Sequence, residues 1–250
     1  MTGARVLVVE HQGNAGLGQL SDRLTRSGLR LDTVGPDAGA SVPDSLDGYD
    51  ALIVLGGATG PTDDDAAPWL PATRRLLAGG AELGVPTLGI CLGAQLLATA
   101  TGGRVRAMPD GPEVGLCDVD FGSAAATDPL FSGLAGRSAP AVQWHWLEAD
   151  RLPAGARVLA SSPACRNQAF RIGDAAWGVQ FHLEALGATA QDWVDEDRRS
   201  LDELGLDGAA LVREVRDAEP RLGAVWLPIA DRFADIAKRP AGRPDQPTAR

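Results

Sequence analysis

Val85-Pro86-Thr87-Leu88-Gly89-Ile90-Cys91-Leu92-Gly93-Ala94-Gln95 is the stretch that decides the fold. Val85 to Ile90 reads as a short interior strand. Leu92 to Thr101 takes up helical spacing until Gly102 and Gly103 stop it. A strand that turns into a helix within one residue is the repeating unit of a parallel sheet covered by helices. The glycines on either side of Cys91 let strand and helix approach closely and hold the residue between them on a sharp turn, the G-x-nucleophile-x-G pattern.

The same alternation continues upstream. Arg5 to Glu10, Leu29 to Val34 and Ala51 to Leu55 read as strands, and Leu17 to Ser27 and Trp69 to Leu83 as helices. Downstream of Gly103 the pattern changes. Val114 to Phe121, Ala141 to Trp146, Arg157 to Ser161, Gln168 to Ile172 and Ala176 to Phe181 are short strands separated by turn residues, more antiparallel in character and added to the same sheet or its edge. Ala188 to Arg216 and Val225 to Lys238 read as closing helices. Residues 239–250, rich in Pro and polar residues, read as a disordered tail behind a single domain of residues 1–238. The expected fold is α/β, with a mostly parallel central sheet, helices on both faces and some antiparallel strands in the second half.

Composition narrows the function classes. The 250 residues carry 33 acidic and 23 Lys or Arg side chains, a formal charge of -10, which argues against a nucleic-acid surface. Hydrophobic residues make up 44% of the chain, enough for a core without metal or disulfide support. Three cysteines with no CxxC pair form neither a disulfide framework nor a zinc site. The chain enters its first strand without a charged leader, and no segment approaches the roughly 20 apolar residues of a membrane span. The expectation is a cytoplasmic protein with no membrane partner, no metal and no cofactor.

Cys91 has two readings. A cysteine at a strand end packs as a small hydrophobe in many folds. Against that, a helix N-terminus favours a thiolate, and its free backbone N–H groups can hold an oxyanion. The histidines decide between them. There are three, His11, His145 and His182, and the last closes the strand Trp177-Gly178-Val179-Gln180-Phe181-His182, with Glu184 two residues on. In extended chain, residues i and i+2 point to the same side. Glu184 can hold one ring nitrogen of His182 while the other takes a proton from Cys91, the arrangement of a nucleophilic triad. In an α/β-hydrolase, which shares the elbow, the acid precedes the histidine; here it follows.

Gly89-Ile90-Cys91-Leu92-Gly93-Ala94-Gln95 with Gly178-Val179-Gln180-Phe181-His182-Leu183-Glu184 resembles the class I (triad) glutamine amidotransferases. The likeness runs from residue 4 to 186 and is closest to stand-alone members similar to the amidotransferase domain of GMP synthase. It implies a flavodoxin-like sheet and a Cys91–His182–Glu184 triad that opens a γ-carboxamide through a γ-glutamyl thioester and releases ammonia. It also implies an oxyanion hole from the N–H groups of Gly57 and Leu92. Gln95 would sit beside the substrate amide, and Gln143, Trp144 and His145 would grip the α-amino and α-carboxylate groups. The partners implied are glutamine or a γ-glutamyl small molecule and, because no synthase domain is visible in the chain, a separate ammonia-accepting synthase. Two positions depart from the family pattern. Leu183 stands where Pro is common, and Trp146-Leu147 separate His145 from the first following acid, Glu148. Two alternatives share the resemblance: a stand-alone γ-glutamyl peptide or amide hydrolase, and an inactive regulatory or binding subunit.

Other features have plainer readings. Glu10 and His11 end the first strand on the ligand-binding edge of such a sheet, and Gly13, Gly16 and Gly18 make a flexible loop without the dinucleotide-binding order. Asp63-Asp64-Asp65 reads as a cap for the helix that follows, Asp195 to Arg199 as a solvated helix face, and Cys117 and Cys165 as structural. The tryptophans read as core or interface, with Trp144 and Trp146 placed to line a pocket.

Overall fold

The structure, a computed structural model, describes residues 3–239. Its strands are β1 (Arg5–Val9), β2 (Arg30–Val34), β3 (Ala51–Val54), β4 (Thr87–Ile90), β5 (Arg104–Ala107), β6 (Glu113–Phe121), β7 (Ser138–His145), β8 (Leu147–Arg151), β9 (Arg157–Ser161), β10 (Ala169–Ile172) and β11 (Ala176–Val179). Its helices are α1 (Leu20–Arg26), α2 (Leu70–Leu83), α3 (Leu92–Ala100), α4 (Gly187–Glu196), α5 (Arg198–Glu203) and α6 (Gly208–Ala237), with two short 3₁₀ turns between β6 and β7.

Nine strands form one sheet in the order β2-β1-β3-β4-β11-β10-β9-β6-β7. From β2 to β11 every pairing is parallel, and from β11 to β7 every pairing is antiparallel. The sheet is therefore mixed, half and half, rather than mostly parallel. β5 and β8, absent from the sequence reading, pair as a separate two-stranded ribbon.

Alternation along β1 shows how both faces are covered. Val6 and Val8 join the core under α1 and α6, while Leu7 and Val9 join the core under α2 and α3. A strand buried on both faces has no polar position left, which is why the first half of the chain reads as unbroken aliphatic runs. The parallel order brings the C-terminal ends of β1, β3, β4 and β11 to one edge, where ligands bind in open α/β sheets.

The closing helices differ from expectation in their breaks. The segment from Ala188 to Arg216 divides at Asp197 and again around Gly205, where φ is 69°. α6 instead runs 30 residues straight through Pro220 and Pro228. An interior proline costs about 3 kcal/mol in an isolated helix. Here the buried stripe Val212, Val215, Ala218, Leu222, Trp226, Ile229 and Phe233 continues past both prolines at helical spacing and offsets that cost. Trp226 fixes the helix across the sheet: its Nε1–H donates to the Pro140 carbonyl of β7 at 3.0 Å, and its ring lies 5.0 Å from that of Phe181. No described helix is long and apolar enough to cross a membrane. Of the tail expected over 239–250, only Arg239 is among the described residues.

Candidate active site

Cys91 is the one non-glycine residue with positive φ among the described residues, at φ 51° and ψ -105°. Such a conformation costs about 1–3 kcal/mol and persists only where the surroundings over-determine it. The surroundings here are visible. Cys91 N–H donates to Val179 O at 2.8 Å, and Gly93 N–H donates to Leu55 O at 3.1 Å. A Cβ on Gly89 would lie 2.5 Å from the Gly93 carbonyl oxygen, and one on Gly93 would collide with Val54 O. Both elbow glycines are required because strand β4, helix α3 and the end of β3 meet backbone to backbone.

β11 lies beside β4 in parallel register, Val179 opposite Ile90, so the chain leaving β11 passes Cys91 directly. Gln180 Nε2 reaches Cys91 Sγ at 3.6 Å. Two residues on, His182 Nδ1 and Glu184 Oε1 are 2.6 Å apart, with both side chains almost wholly buried. That bond fixes the ring so that Nδ1 faces the carboxylate and Nε2 is left for Cys91. Burial opposes a charged ring, but the negative charges of Glu184 and then Cys91 outweigh it and push the His182 pKa up to about 10. Trp193 of α4 covers the ring at 4.5 Å between centroids.

Gly56 and Gly57 follow β3. A Cβ at Gly56 would stand 2.9 Å from His182 Cε1 and 3.6 Å from Cys91 Cβ, and one at Gly57 would stand 2.8 Å from His11 Cβ. Gly56→Ala is therefore expected to push the imidazole off its line to the thiol and lower kcat roughly a hundredfold, with the thermal midpoint as the control for folding. The N–H groups of Gly57 and Leu92 donate to no partner among the described residues. The next one, Ala58 N–H, is held by Gln12 Oε1 at 2.7 Å, which braces the loop.

These groups open into a cavity of about 370 Å³. Cys91, Gln95, Trp144, His145 and His182 all line it, so the structure gathers most of the residues singled out in the sequence. Gln95 Nε2 donates to Leu147 O at 3.2 Å and to Gln180 Oε1 at 3.3 Å. The His145 ring turns inward: Nδ1 meets Leu147 O at 3.0 Å, and Nε2 lies 3.2 Å from Glu113 Oε2. Gln143 is fully buried, both of its amide atoms lack partners among the described residues, and it does not reach the cavity. Glu148 does not reach it either, because its side chain is paired with Arg106 at 2.8 Å.

Several readings need correction. His11, expected at the ligand-binding edge, stands behind the cavity lining: it is buried, accepts from Trp69 Nε1–H at Nδ1 (2.9 Å), and burial lowers its pKa to about 4, so it supports Gly57 from behind as a neutral ring. Asp63 and Asp64 do not cap α2. Asp63 accepts from Gly60 N–H at 2.8 Å and Asp64 pairs with Arg74 at 2.6 Å. The run from Asp195 to Arg199 is a largely solvated face, as expected, with exposed Glu196 and half-buried Asp197 at the rim of the cavity. Gln12, Trp193, Glu196, Asp197 and Ser200 are cavity residues that no local motif marks. Burial pushes Cys117 up to about 11 and Cys165 up to about 12, in keeping with structural thiols.

The chain is similar to known proteins in sequence and in fold. Residues 16–196 match the family described as glutamine amidotransferase class-I. A glutamine-hydrolyzing GMP synthase component from Natronomonas pharaonis is 31% identical over 199 residues, 79% of this chain and 97% of that protein. A solved glutamine amidotransferase from Thermotoga maritima superposes with TM-score 0.82 at 25% identity, over 93% of this chain and 99% of that one. A second, from Methylobacillus flagellatus, shares the fold with TM-score 0.80 at 23% identity, covering 98% and 99%. The family match and these relatives identify an enzyme that works through a cysteine nucleophile. With 181 consecutive residues matched to one family, the chain belongs to the class-I glutamine amidotransferases.

Proposed function

We propose that the chain hydrolyses a γ-carboxamide of the glutamine type with Cys91 as nucleophile, His182 as acid and base, and Glu184 as the group that orients and charges His182. The Cys91 sulfur attacks the γ-carbonyl, and the oxyanion is received by the N–H groups of Gly57 and Leu92. His182 passes its proton to the departing nitrogen. Water, deprotonated by His182, then attacks the γ-glutamyl thioester, and glutamate leaves as the sulfur is restored. The observation that carries this reading is the 2.6 Å His182–Glu184 contact beside a cysteine held at positive φ.

On the family reading the nitrogen leaves as ammonia for a synthase on another chain, supported by the likeness to the glutamine-hydrolyzing GMP synthase component. Another reading, a hydrolase of substituted γ-glutamyl amides, is favoured by a cavity that extends beyond His182 to Trp193, Asp197 and Ser200. Both pass through the same thioester. Rapid acid quenching of the enzyme with glutamine, followed by mass analysis of the peptide bearing Cys91, is expected to show a γ-glutamyl adduct, with ammonia and glutamate formed in equal amounts. An unmodified Cys91 with every γ-glutamyl compound tried would refute the proposal.

A further inference from the structure

Gly57 N–H, the proposed oxyanion donor, belongs to a peptide that its own residues do not fix. The plane between Gly56 and Gly57 turns about ψ of one glycine and φ of the next, and neither torsion is narrowed by a Cβ. A Cβ has no room there: at Gly56 it would crowd His182 Cε1 at 2.9 Å, and at Gly57 it would crowd His11 Cβ at 2.8 Å. A half-turn of the plane would exchange the N–H for a carbonyl oxygen, which repels an oxyanion instead of receiving it. The orientation must therefore come from outside the loop.

It comes from both ends. Upstream, Leu55 N–H donates to Val9 O at 3.0 Å and Leu55 O accepts from Gly93 N–H at 3.1 Å, which ties the chain to β1 and to the elbow. Downstream, Ala58 N–H donates to Gln12 Oε1 at 2.7 Å, the one hydrogen bond that residues 56–59 make among the described residues. Gln12 lines the cavity and is itself held in a defined amide orientation. Its Nε2 donates to Asn14 Oδ1 at 2.5 Å, which leaves Oε1 to face Ala58. Asn14 O in turn accepts from Trp193 Nε1–H at 3.1 Å, and the Trp193 ring lies 4.5 Å from that of His182. Gly13 N–H, between the two amides, donates to Asp37 Oδ2 at 3.1 Å. Residues 12–14 thus join the loop that carries Gly57 to the indole that covers His182.

We propose that Gln12 is a positioning residue for the thioester-forming step: by holding Ala58 N–H it keeps the Gly56–Gly57 peptide turned so that Gly57 N–H meets the oxyanion beside Leu92 N–H. This rests on the reaction proposed above. The Cys91 sulfur bonds to the γ-carbon, and the carbonyl π pair moves onto oxygen, where the two N–H groups receive the charge. On collapse the C–N bond breaks and the His182 proton passes to the nitrogen. Gln12 exchanges no atom or electron pair in either stage. Because the charge on that oxygen develops only on the way to the tetrahedral state, the effect of Gln12 falls on kcat and not on KM.

The test compares two reactions of the same thiol. Acylation by glutamine builds an oxyanion, whereas alkylation by iodoacetamide displaces iodide at a saturated carbon and builds none. Gln12→Met keeps the length of the side chain and removes both amide bonds. In that variant the single-turnover rate of thioester formation is expected to fall about thirtyfold, less than the cost of deleting a donor outright, with KM for glutamine changed by less than about threefold. Alkylation of Cys91 is expected to stay within about twofold of wild type, because it depends on the thiolate alone. The thermal midpoint controls for folding. Acylation at the wild-type rate, or acylation and alkylation slowed together, would overturn the proposal, the second outcome making Gln12 a general support of the elbow. A wild type that forms no thioester removes the proposed reaction itself, whereas a thioester formed equally fast with and without the Gln12 amide removes this inference alone.

Discussion

Cys91→Ala protein is expected to release no measurable glutamate from glutamine or any γ-glutamyl amide, a loss on the order of a millionfold in kcat if the residual rate can be seen. The size follows from the mechanism. On the proposed mechanism, with the sulfur gone no thioester forms, and the proposed oxyanion donors of Gly57 and Leu92 and the His182 ring have only water to work with. Folding should be little affected, because a Cβ is retained and the elbow is fixed by backbone contacts of Gly89, Gly93 and Val179 rather than by the thiol. Alanine also has to adopt φ 51°, as cysteine does, so the strain is carried over. Steady-state release of ammonia and glutamate, with circular dichroism as the folding control, checks the expectation. Activity retained within tenfold would mean that the nucleophile lies elsewhere.

Glu184→Gln is expected to lower kcat about ten-thousandfold while leaving the fold in place. Glutamine can occupy the same space, but it brings no negative charge and can present an N–H to His182 Nδ1, favouring the wrong tautomer. The second carboxylate oxygen, Oε2, is buried without a partner among the described residues, so His182 is the chief counterpart of the charge. Without it, burial dominates and the His182 pKa falls from about 10. The stability consequence has a definite sign. The folded-state value lies above the unfolded value of about 6.5. The ionised His182–Glu184 pair therefore contributes its full stability below pH ~6.5. That contribution is lost as pH rises through about 10. Thermal midpoints of wild type and Glu184→Gln should differ most near pH 6 and converge as the pH approaches 10; a gap that widens toward alkaline pH would contradict the ion pair.

The parts of the fold legible in the sequence are those where burial leaves one interpretation. β3 and β4 are covered on both faces and read as plain aliphatic runs, and Cys91 is marked by the glycines that its turn requires. β8 was not legible because its polar residues are satisfied by pairing. Glu148 and Asp150 are hidden through Arg106 and Arg104 of β5, and β5 itself is largely exposed, so neither strand shows an apolar alternation. α6 hid its length behind two prolines that usually end helices. In the site, the approach of His182 to Glu184 was legible because the two are local to one another, and their distance from Cys91 is closed by a single strand pairing. Glu196 and Asp197 were not. In the run DEDRR, the break of α4 at Asp197 leaves that residue half-buried and bonded to Trp144, while Asp195 pairs with Arg198 in solvent and Arg199 reaches on to Glu203.

The isolated bridge between Val142 and His182, with His182 N–H donating to Val142 O at 2.8 Å, joins the outermost antiparallel strand to the segment that carries the histidine. Trp144 O, two residues along, faces Cys91 Sγ at 3.9 Å. The proposed reactive centre is thus a seam, stitched from residues 91, 142–144 and 182 across both halves of the sheet. A chain emerging from synthesis carries its cysteine long before the residues that would charge it. The contacts around Cys91 are therefore complete only when the last strands of the sheet are in place.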